Sequence, residues 1–398
     1  MESLIAKHNR LLDLTKTNFT RSLMSDIDWN LRLIAIRGAR GVGKTTMLLQ
    51  YIKKQYGKNA SIALYISLDS IYFLNHTLSE CVNEFYQKGG KHLFIDEVHK
   101  YPNWSREIKN IYDEYPDLKI VFTGSSLINI LNAEADLSRR CISYTMQGLS
   151  YREYLELFKS QTLPRYTLNE ILNNPTNAID TITTQIKPLQ WFEDYLQNGY
   201  YPFKSESGDY YHIRVENTVN MILDIELPQQ CNVEIGNIRK IKTLLATLAS
   251  EVPMLVDISK LSAISGISRT TLLSYLQYLE RAKLIKLLYS DDTSIKKMQK
   301  PDKILMENSN LLYSLSIQGV NPGTMREVFF CNQVGYQHNI EYSKNGDFFI
   351  DRIYSVEVGG KSKDGKQIAN IENAFIAADN IDYSYGNKLP LWLFGFLY

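Results

Sequence analysis

Residues 38–45, Gly38-Ala39-Arg40-Gly41-Val42-Gly43-Lys44-Thr45, stand directly behind the apolar run Leu31–Ile36. A glycine, four residues, a second glycine, then lysine and threonine is the spacing that a polyphosphate requires. Glycines let the backbone curl so that successive N–H groups point inward at the charge. A helix starting there aims the positive end of its dipole at the same charge. Lys44 then reaches the β- and γ-phosphates, and the Thr45 hydroxyl can ligate Mg2+, so the expected ligands are ATP and Mg2+. Thr46 opens the helical pattern that runs to Gln55 and is expected to close the cradle.

The second half of such a site is expected at His92-Leu93-Phe94-Ile95-Asp96-Glu97, an apolar strand ending in two carboxylates. Asp96 would hold the metal from an adjoining strand, and Glu97 would orient and deprotonate an attacking water. The next strand ends in Phe122-Thr123-Gly124-Ser125-Ser126, where a small hydroxyl could sense the γ-phosphate or the water; Ser125 is the candidate. Arg139-Arg140 follows an acidic stretch, and a guanidinium there would stabilise transition-state charge, in its own subunit or in a neighbouring one. A trans-acting Arg140 would imply a ring or dimer; a cis-acting one would permit a monomer.

These residues need an α/β scaffold. From Leu31 to about Leu155, short β-rich runs at Leu31–Ile36, Ser61–Leu68, His92–Ile95, Lys119–Thr123 and Cys141–Met146 alternate with helical patterns. Near-continuous hydrophobicity suits parallel strands covered on both faces, joined by right-handed crossovers. Met1 to Asn30 reads as a helical lead-in. The expected organisation is a P-loop domain at 1–155, a helical subdomain at 156–236, a winged-helix domain at 237–320 and a small α/β domain at 321–398. The winged helix is read from a helix at Ile238–Ser250, a second at Ile258–Ile264, a turn at Ser265-Gly266-Ile267, and a third capped by Ser268 with Leu272, Leu276 and Leu279 on one face. A two-strand wing, Leu284–Tyr289 and Lys303–Met306, would follow. In the last domain a helix is expected at Arg326–Tyr336, with strands at Phe348–Ile353, Tyr354–Val358 and Leu391–Leu397.

Composition bounds the partners. With 398 residues, several domains are expected. Lys plus Arg (44) nearly balances Asp plus Glu (43), so a nucleic-acid surface would have to be local. Such a surface is available at the wing: Arg281–Lys303 holds seven Lys/Arg, including Lys296 and Lys297, against three Asp, and Arg269 opens the candidate recognition helix. DNA is therefore the expected partner of this region, with protein docking the alternative. The four scattered cysteines and the lack of a long apolar span point to a cytoplasmic protein without a membrane segment.

Taken together, the phosphate loop, DEVHKYPNW (96–104), TGSS (123–126) and LSRRCISYTMQGLSYREYL (137–155) resemble one group of bacterial and archaeal AAA+ ATPases. In that group a winged helix and a C-terminal domain of unknown function follow the ATPase module. The group usually has a Gly-Arg pair where this chain has Arg139-Arg140; Arg140 matches the arginine and the glycine is gone. The group's C-terminal domain is similar to the restriction-endonuclease-like core, in which acidic residues bind Mg2+ beside a lysine. That resemblance assigns Glu327, Asp347 and Glu357 to the acidic positions. It wants lysine two residues after Glu357, where this chain has Gly359; Lys361 would be displaced by roughly 6–7 Å. A degenerate core without cleavage is expected. The implied function is Mg-dependent ATP hydrolysis that moves the winged-helix and C-terminal modules on a partner. The alternatives are an ATP-gated DNA-binding regulator with little turnover and an ATP-controlled nuclease.

Overall fold

Five short apolar runs each supply one strand to a parallel sheet. The computed structural model describes residues 1–124, 137, 139–231, 233–250, 256–290 and 300–398. It divides into two compact units, Met1–Gly148 and Leu149–Tyr398.

In the first unit the elements run α1 (Glu2–Leu14), β1 (Leu33–Arg37), α2 (Lys44–Tyr56), β2 (Ala63–Ser67), α3 (Leu78–Gln87), β3 (His92–Asp96), α4 (Trp104–Glu114), β4 (Lys119–Gly124) and β5 (Ile142–Thr145). The strand order is β2-β3-β4-β1-β5, all parallel. Leu33, Ile34, Ala35, Ile36, Phe94, Ile95, Val121 and Phe122 are buried, as strands covered on both faces must be. Each fully buried large side chain among them contributes about 1.5–3 kcal/mol. The helical lead-in is tied to the phosphate helix by side chains. Lys53 Nζ donates to the Leu12 and Thr15 carbonyls at the end of α1, and Gln50 donates to Lys16 O and Phe19 O.

The second unit begins with helices α5 (Tyr151–Lys159), α6 (Leu168–Asn173), α7 (Pro175–Thr183), α8 (Leu189–Asn198) and α9 (Tyr211–Met221). The expected 155/156 boundary falls inside α5, because α5 is built into this unit. Tyr151 packs on Phe192, Tyr195 and Phe396, and both Ser150 Oγ and Arg152 Nε donate to Tyr398 O. Next come α10 (Ile235–Ser250), α11 (Ile258–Ser265), α12 (Arg269–Arg281), and the antiparallel hairpin β6 (Ile285–Leu288) and β7 (Lys303–Met306). Gly266 turns the chain between α11 and α12 at φ 64°, where a side chain would strain the backbone. Ser268 caps α12, whose Leu272, Leu276 and Leu279 are buried.

The chain ends with α13 (Ser309–Leu315), α14 (Pro322–Val334), β8 (Ile340–Tyr342), β9 (Phe348–Ile350), β10 (Tyr354–Gly359), β11 (Ala374–Ala378) and β12 (Lys388–Pro390). The sheet order is β12-β11-β10-β9-β8, antiparallel from β8 to β10 and parallel from β10 to β12. The expected closing strand at Leu391–Leu397 is instead a 3-10 helix, Leu391–Phe396, buried along its whole length. Continuous apolar sequence suits a buried strand and a buried helical turn equally.

Candidate functional site

The phosphate loop folds as its glycines require. Gly41 and Gly43 take φ 84° and 100°, and Gly43 leads directly into α2. Gly38 is needed for a different reason: a Cβ there would stand 2.3 Å from the carbonyl oxygen of Met146. Lys44 lies buried at the start of α2, with Nζ donating to Gly38 O at 2.8 Å and Ala39 O at 2.9 Å. The ammonium is thus held against the loop by carbonyls that a phosphate oxygen can replace.

Thr45 and Asp96, separated by half the sheet, meet. Thr45 Oγ1 donates to Asp96 Oδ2 at 2.7 Å. Asp96 does not come from the strand beside β1: β4 intervenes, and the carboxylate reaches across it. Two further hydroxyls converge on the same group. Tyr65 OH, from β2, donates to Oδ2 at 2.8 Å, and Thr123 Oγ1, from β4, donates to Oδ1. The Asp96 carboxylate is buried and aimed by three hydroxyls from three separate elements. Burial, then the neighbouring Asp96 charge, pushes the Tyr65 phenol upward, so it remains a donor.

Glu97 follows in left-handed backbone, φ 56° and ψ 40°, a conformation that a residue with a side chain takes up only when its surroundings impose it. This bend ends β3 and lets two consecutive carboxylates diverge, Asp96 buried and Glu97 with 26% of its side chain exposed. His99 Nε2 lies 3.4 Å from Glu97 Oε2. Burial, then the positive charges of Lys100, Lys44 and Arg40, lowers His99 to about 4, so the imidazole beside Glu97 is neutral at physiological pH.

Residues 30–155 match the family model described as an AAA domain. These residues are an AAA domain of the P-loop type. Behind it, residues 189–321 match a domain of unknown function (DUF8612). The uncharacterized protein MJ1637 of Methanocaldococcus jannaschii is 26% identical over 368 residues, 84% of this chain and 77% of that one. A second uncharacterized protein of that organism, MJ1544, is 28% identical over 146 residues, 35% of this chain and 32% of its own length. Among solved structures, the Walker-type ATPase paby2304 of Pyrococcus abyssi covers 78% of this chain and 94% of its own, at 12% identity and a TM-score of 0.44. AMPPCP-bound DnaA from Aquifex aeolicus covers 65% and 85%, at 17% identity and a TM-score of 0.27.

The structure brings Lys44 to Gly38 and Thr45 to Asp96, with Glu97 next in the chain, and it seats Asp96 two strands from β1 where an adjoining strand was expected. Ser125 lies outside the described residues. Arg140 is turned to α4, where Nε and Nη2 grip Asp113 Oδ1 and Oδ2 at 2.9 and 3.0 Å. Tyr65, Thr123 and His99 carry contacts that spacing did not predict. Arg21 is a fourth: buried in the lead-in, it donates to Val42 O in the phosphate loop at 2.8 Å and to Gln147 O and Gly148 O at 2.7 Å.

Outside the AAA domain, Arg269 stands exposed at the start of α12, and Lys296 and Lys297 lie outside the described residues. The acidic positions Glu327, Asp347 and Glu357 fall on α14, just before β9, and on β10. Lys361 is not the lysine that accompanies Glu357. Lys363 is: its Nζ pairs with Glu357 Oε1 at 2.7 Å, while Lys361 is exposed and its carbonyl accepts from Lys388 Nζ. The cause is steric. The stem of Lys363 folds back across Gly359, where a Cβ would meet it at 2.8 Å. Among the described residues no group of three or more His, Cys, Asp or Glu could hold a metal ion. No described helix is long and apolar enough to cross a membrane, and none of the four cysteines is in a disulfide among the described residues.

Proposed function

We propose that this chain is a Mg-dependent ATPase whose nucleotide cycle moves the second unit on a macromolecular partner. The observation that carries it is the contact between the Thr45 hydroxyl and the Asp96 carboxylate, directly beneath a phosphate loop led by Lys44. Hard oxygen donors, one carboxylate and one hydroxyl, are what Mg2+ takes when substrate phosphates complete its shell. Bound there, the metal would neutralise charge on the β- and γ-phosphates. The residues of the chain do the rest. Loop N–H groups and Lys44 bind and orient the phosphates. Glu97 accepts the proton of the attacking water, and neutral His99 steadies that carboxylate without quenching its charge, as an imidazolium would. Thr123, rather than Ser125, is the hydroxyl of this strand end that we assign to the site, because it already donates to Asp96.

Arg140 is the residue we assign to transition-state charge. Its partner Asp113 lies on the solvent-facing side of α4, and an exposed pair holds a guanidinium weakly enough for a triphosphate to compete. One observation favours the regulator alternative: while Arg140 is held by Asp113, the site lacks that cation and turnover would be slow. Steady-state ATP hydrolysis separates the two readings, a rate at the uncatalysed background favouring the regulator.

In the second unit the α11–turn–α12 pair with its β6–β7 hairpin supports a winged-helix reading; Arg269 at the start of α12 is the exposed cation we assign to DNA, and Lys296 and Lys297 join it on the strength of the sequence alone. Binding of a labelled duplex that weakens steeply with salt would support DNA as the partner. The direct test of the ATPase reading is Lys44→Ala. Calorimetric ATP affinity should fall by at least tenfold, and unchanged affinity would remove the assignment.

A further inference from the structure

The resemblance to a restriction-endonuclease-like core implies a divalent metal among Glu327, Asp347 and Glu357, and the side chains in place do not fit one. Lys303, carried in on β7, sets its Nζ 2.6 Å from Glu327 Oε2 and 3.9 Å from Asp347 Oδ1. Its side chain is 8% exposed, and the ring of Phe348 lies 5.5 Å from the ammonium. The other oxygen of Asp347 is committed as well, accepting the backbone N–H of Val358 at 2.7 Å. On the far side Lys363 holds Glu357 Oε1. Three carboxylates therefore already share two ammonium groups. Two carboxylate oxygens here are buried with no hydrogen-bond partner, Glu327 Oε2 and Glu357 Oε2; the first faces the Lys303 ammonium at 2.6 Å, which leaves Glu357 Oε2 as one oxygen where a divalent ion needs several. A metal entering here would have to displace a buried lysine that is joined to the chain, and the freed ammonium would then repel it.

We propose that Lys303 is a tethered cation that substitutes for the metal. It closes the acidic pair Glu327–Asp347 and thereby fastens the β6–β7 hairpin to the C-terminal sheet. The fastening has a second strand-level contact. Tyr342 N–H on β8 donates to Tyr289 O at the end of β6, and Ser290 bridges to Tyr342, so the hairpin continues onto the free edge of the sheet. Asn332 Nδ2, from α14, adds a hydrogen bond to Glu307 O just after β7. The hairpin and the C-terminal sheet then respond to the nucleotide as one body, and the module does not cut nucleic acid.

The test uses the full chain carrying Asp96→Asn, which silences the phosphate-loop metal site in every arm. Manganese binding is followed by electron paramagnetic resonance, and stability by urea unfolding. The parent should bind no Mn2+ at the C-terminal cluster. Lys303→Met should lower the unfolding midpoint, and adding Glu327→Gln should recover at least half of that loss, because a buried pair removed together costs less than one partner removed alone. Glu327→Gln by itself should likewise be less stable than the double variant, which keeps the test open if Lys303→Met fails to fold. One Mn2+ bound by the parent and lost on Glu357→Gln would overturn the proposal. So would Mn2+-dependent nicking of supercoiled DNA lost on the same change, or a double variant as unstable as the sum of its parts.

Discussion

Deleting one hydroxyl beneath the phosphate loop tests whether Asp96 is held in advance or merely happens to lie near Thr45. Tyr65→Phe removes the phenolic oxygen 2.8 Å from Asp96 Oδ2 and leaves the buried ring in place. A hydrogen bond to a charged group is worth about 1.5–3 kcal/mol. Because Asp96 keeps the Thr45 and Thr123 donors, the lower end applies, ~1.5 kcal/mol or about tenfold in a folding constant. Two measurements read it: urea unfolding, and calorimetry of ATP binding with Mg2+ or with a chelator. Stability should fall by ~1.5 kcal/mol. The extra affinity that Mg2+ confers should shrink by up to about tenfold, since a freed carboxylate no longer presents its oxygens in one place. Affinity in the chelator should not change, because the loop N–H groups and Lys44 are untouched. A variant with wild-type stability and wild-type Mg2+ dependence refutes the reasoning. So does one that loses affinity equally in both conditions, because that would indicate a distorted loop.

Three other outcomes are expected. Gly38→Ala places a methyl group 2.3 Å from Met146 O, a backbone atom fixed by the donation of Met146 N–H to Arg37 O at 2.7 Å; stability should drop by about 1–3 kcal/mol and ATP affinity with it, and a fully functional G38A variant would show the loop to be softer than argued. Glu97→Gln should keep ATP affinity and lose turnover, and hydrolysis at the wild-type rate would exclude Glu97 as the base. The third concerns pH. Burial lowers His8 to about 4, His92 to about 3 and His99 to about 4, all from 6.5, and His8 Nδ1 accepts the Tyr65 N–H, which a protonated ring could not do. The unfolded chain takes up these protons first, so the stability they contribute is complete above pH 6.5. It is lost as pH falls from there toward 4, by up to roughly 1.4 kcal/mol per histidine per pH unit. The thermal midpoint should fall between pH 7 and pH 5; a flat profile would show the rings to be protonated in the fold or free to leave it.

The parts of the site that lie close together in the chain were legible before folding was considered. The two glycines with positive φ, Lys44 and Thr45 lie within one turn and the helix it starts, and local spacing is sufficient to specify them. Asp96 was legible too, because carboxylates directly after an apolar run mark the end of a buried strand. Tyr65 and Thr123 were not, since only the order β2-β3-β4-β1 brings three strand ends to one carboxylate. In the second unit, helical periodicity marked α11 and α12, yet Ala374–Ala378 passed unnoticed as β11 because a five-residue run between polar loops carries little period. Lys363 was hidden for a related reason. It reaches Glu357 by folding over Gly359, a loop path that alternation along a strand cannot anticipate.

Arg21 bears on how nucleotide chemistry could leave the AAA domain. One guanidinium joins the Val42 carbonyl of the phosphate loop to Gln147 and Gly148, the last residues of the first unit. The bonds run from rigid, planar donors, so the loop cannot shift without straining or breaking at least one of them. Gly38 makes the coupling tighter, for its own neighbour across the gap is the Met146 backbone, in the same exit segment. In the nucleotide cycle proposed above, these two independent contacts are the ones that would carry a displacement of Val42 to the residues from which the chain continues toward α5. A surface loop joined to its sheet only at its ends would dissipate such a displacement. Here the buried guanidinium and the missing Cβ tie the phosphate loop to residues 146–148, so under the proposed cycle the exit segment is where a response would first be read.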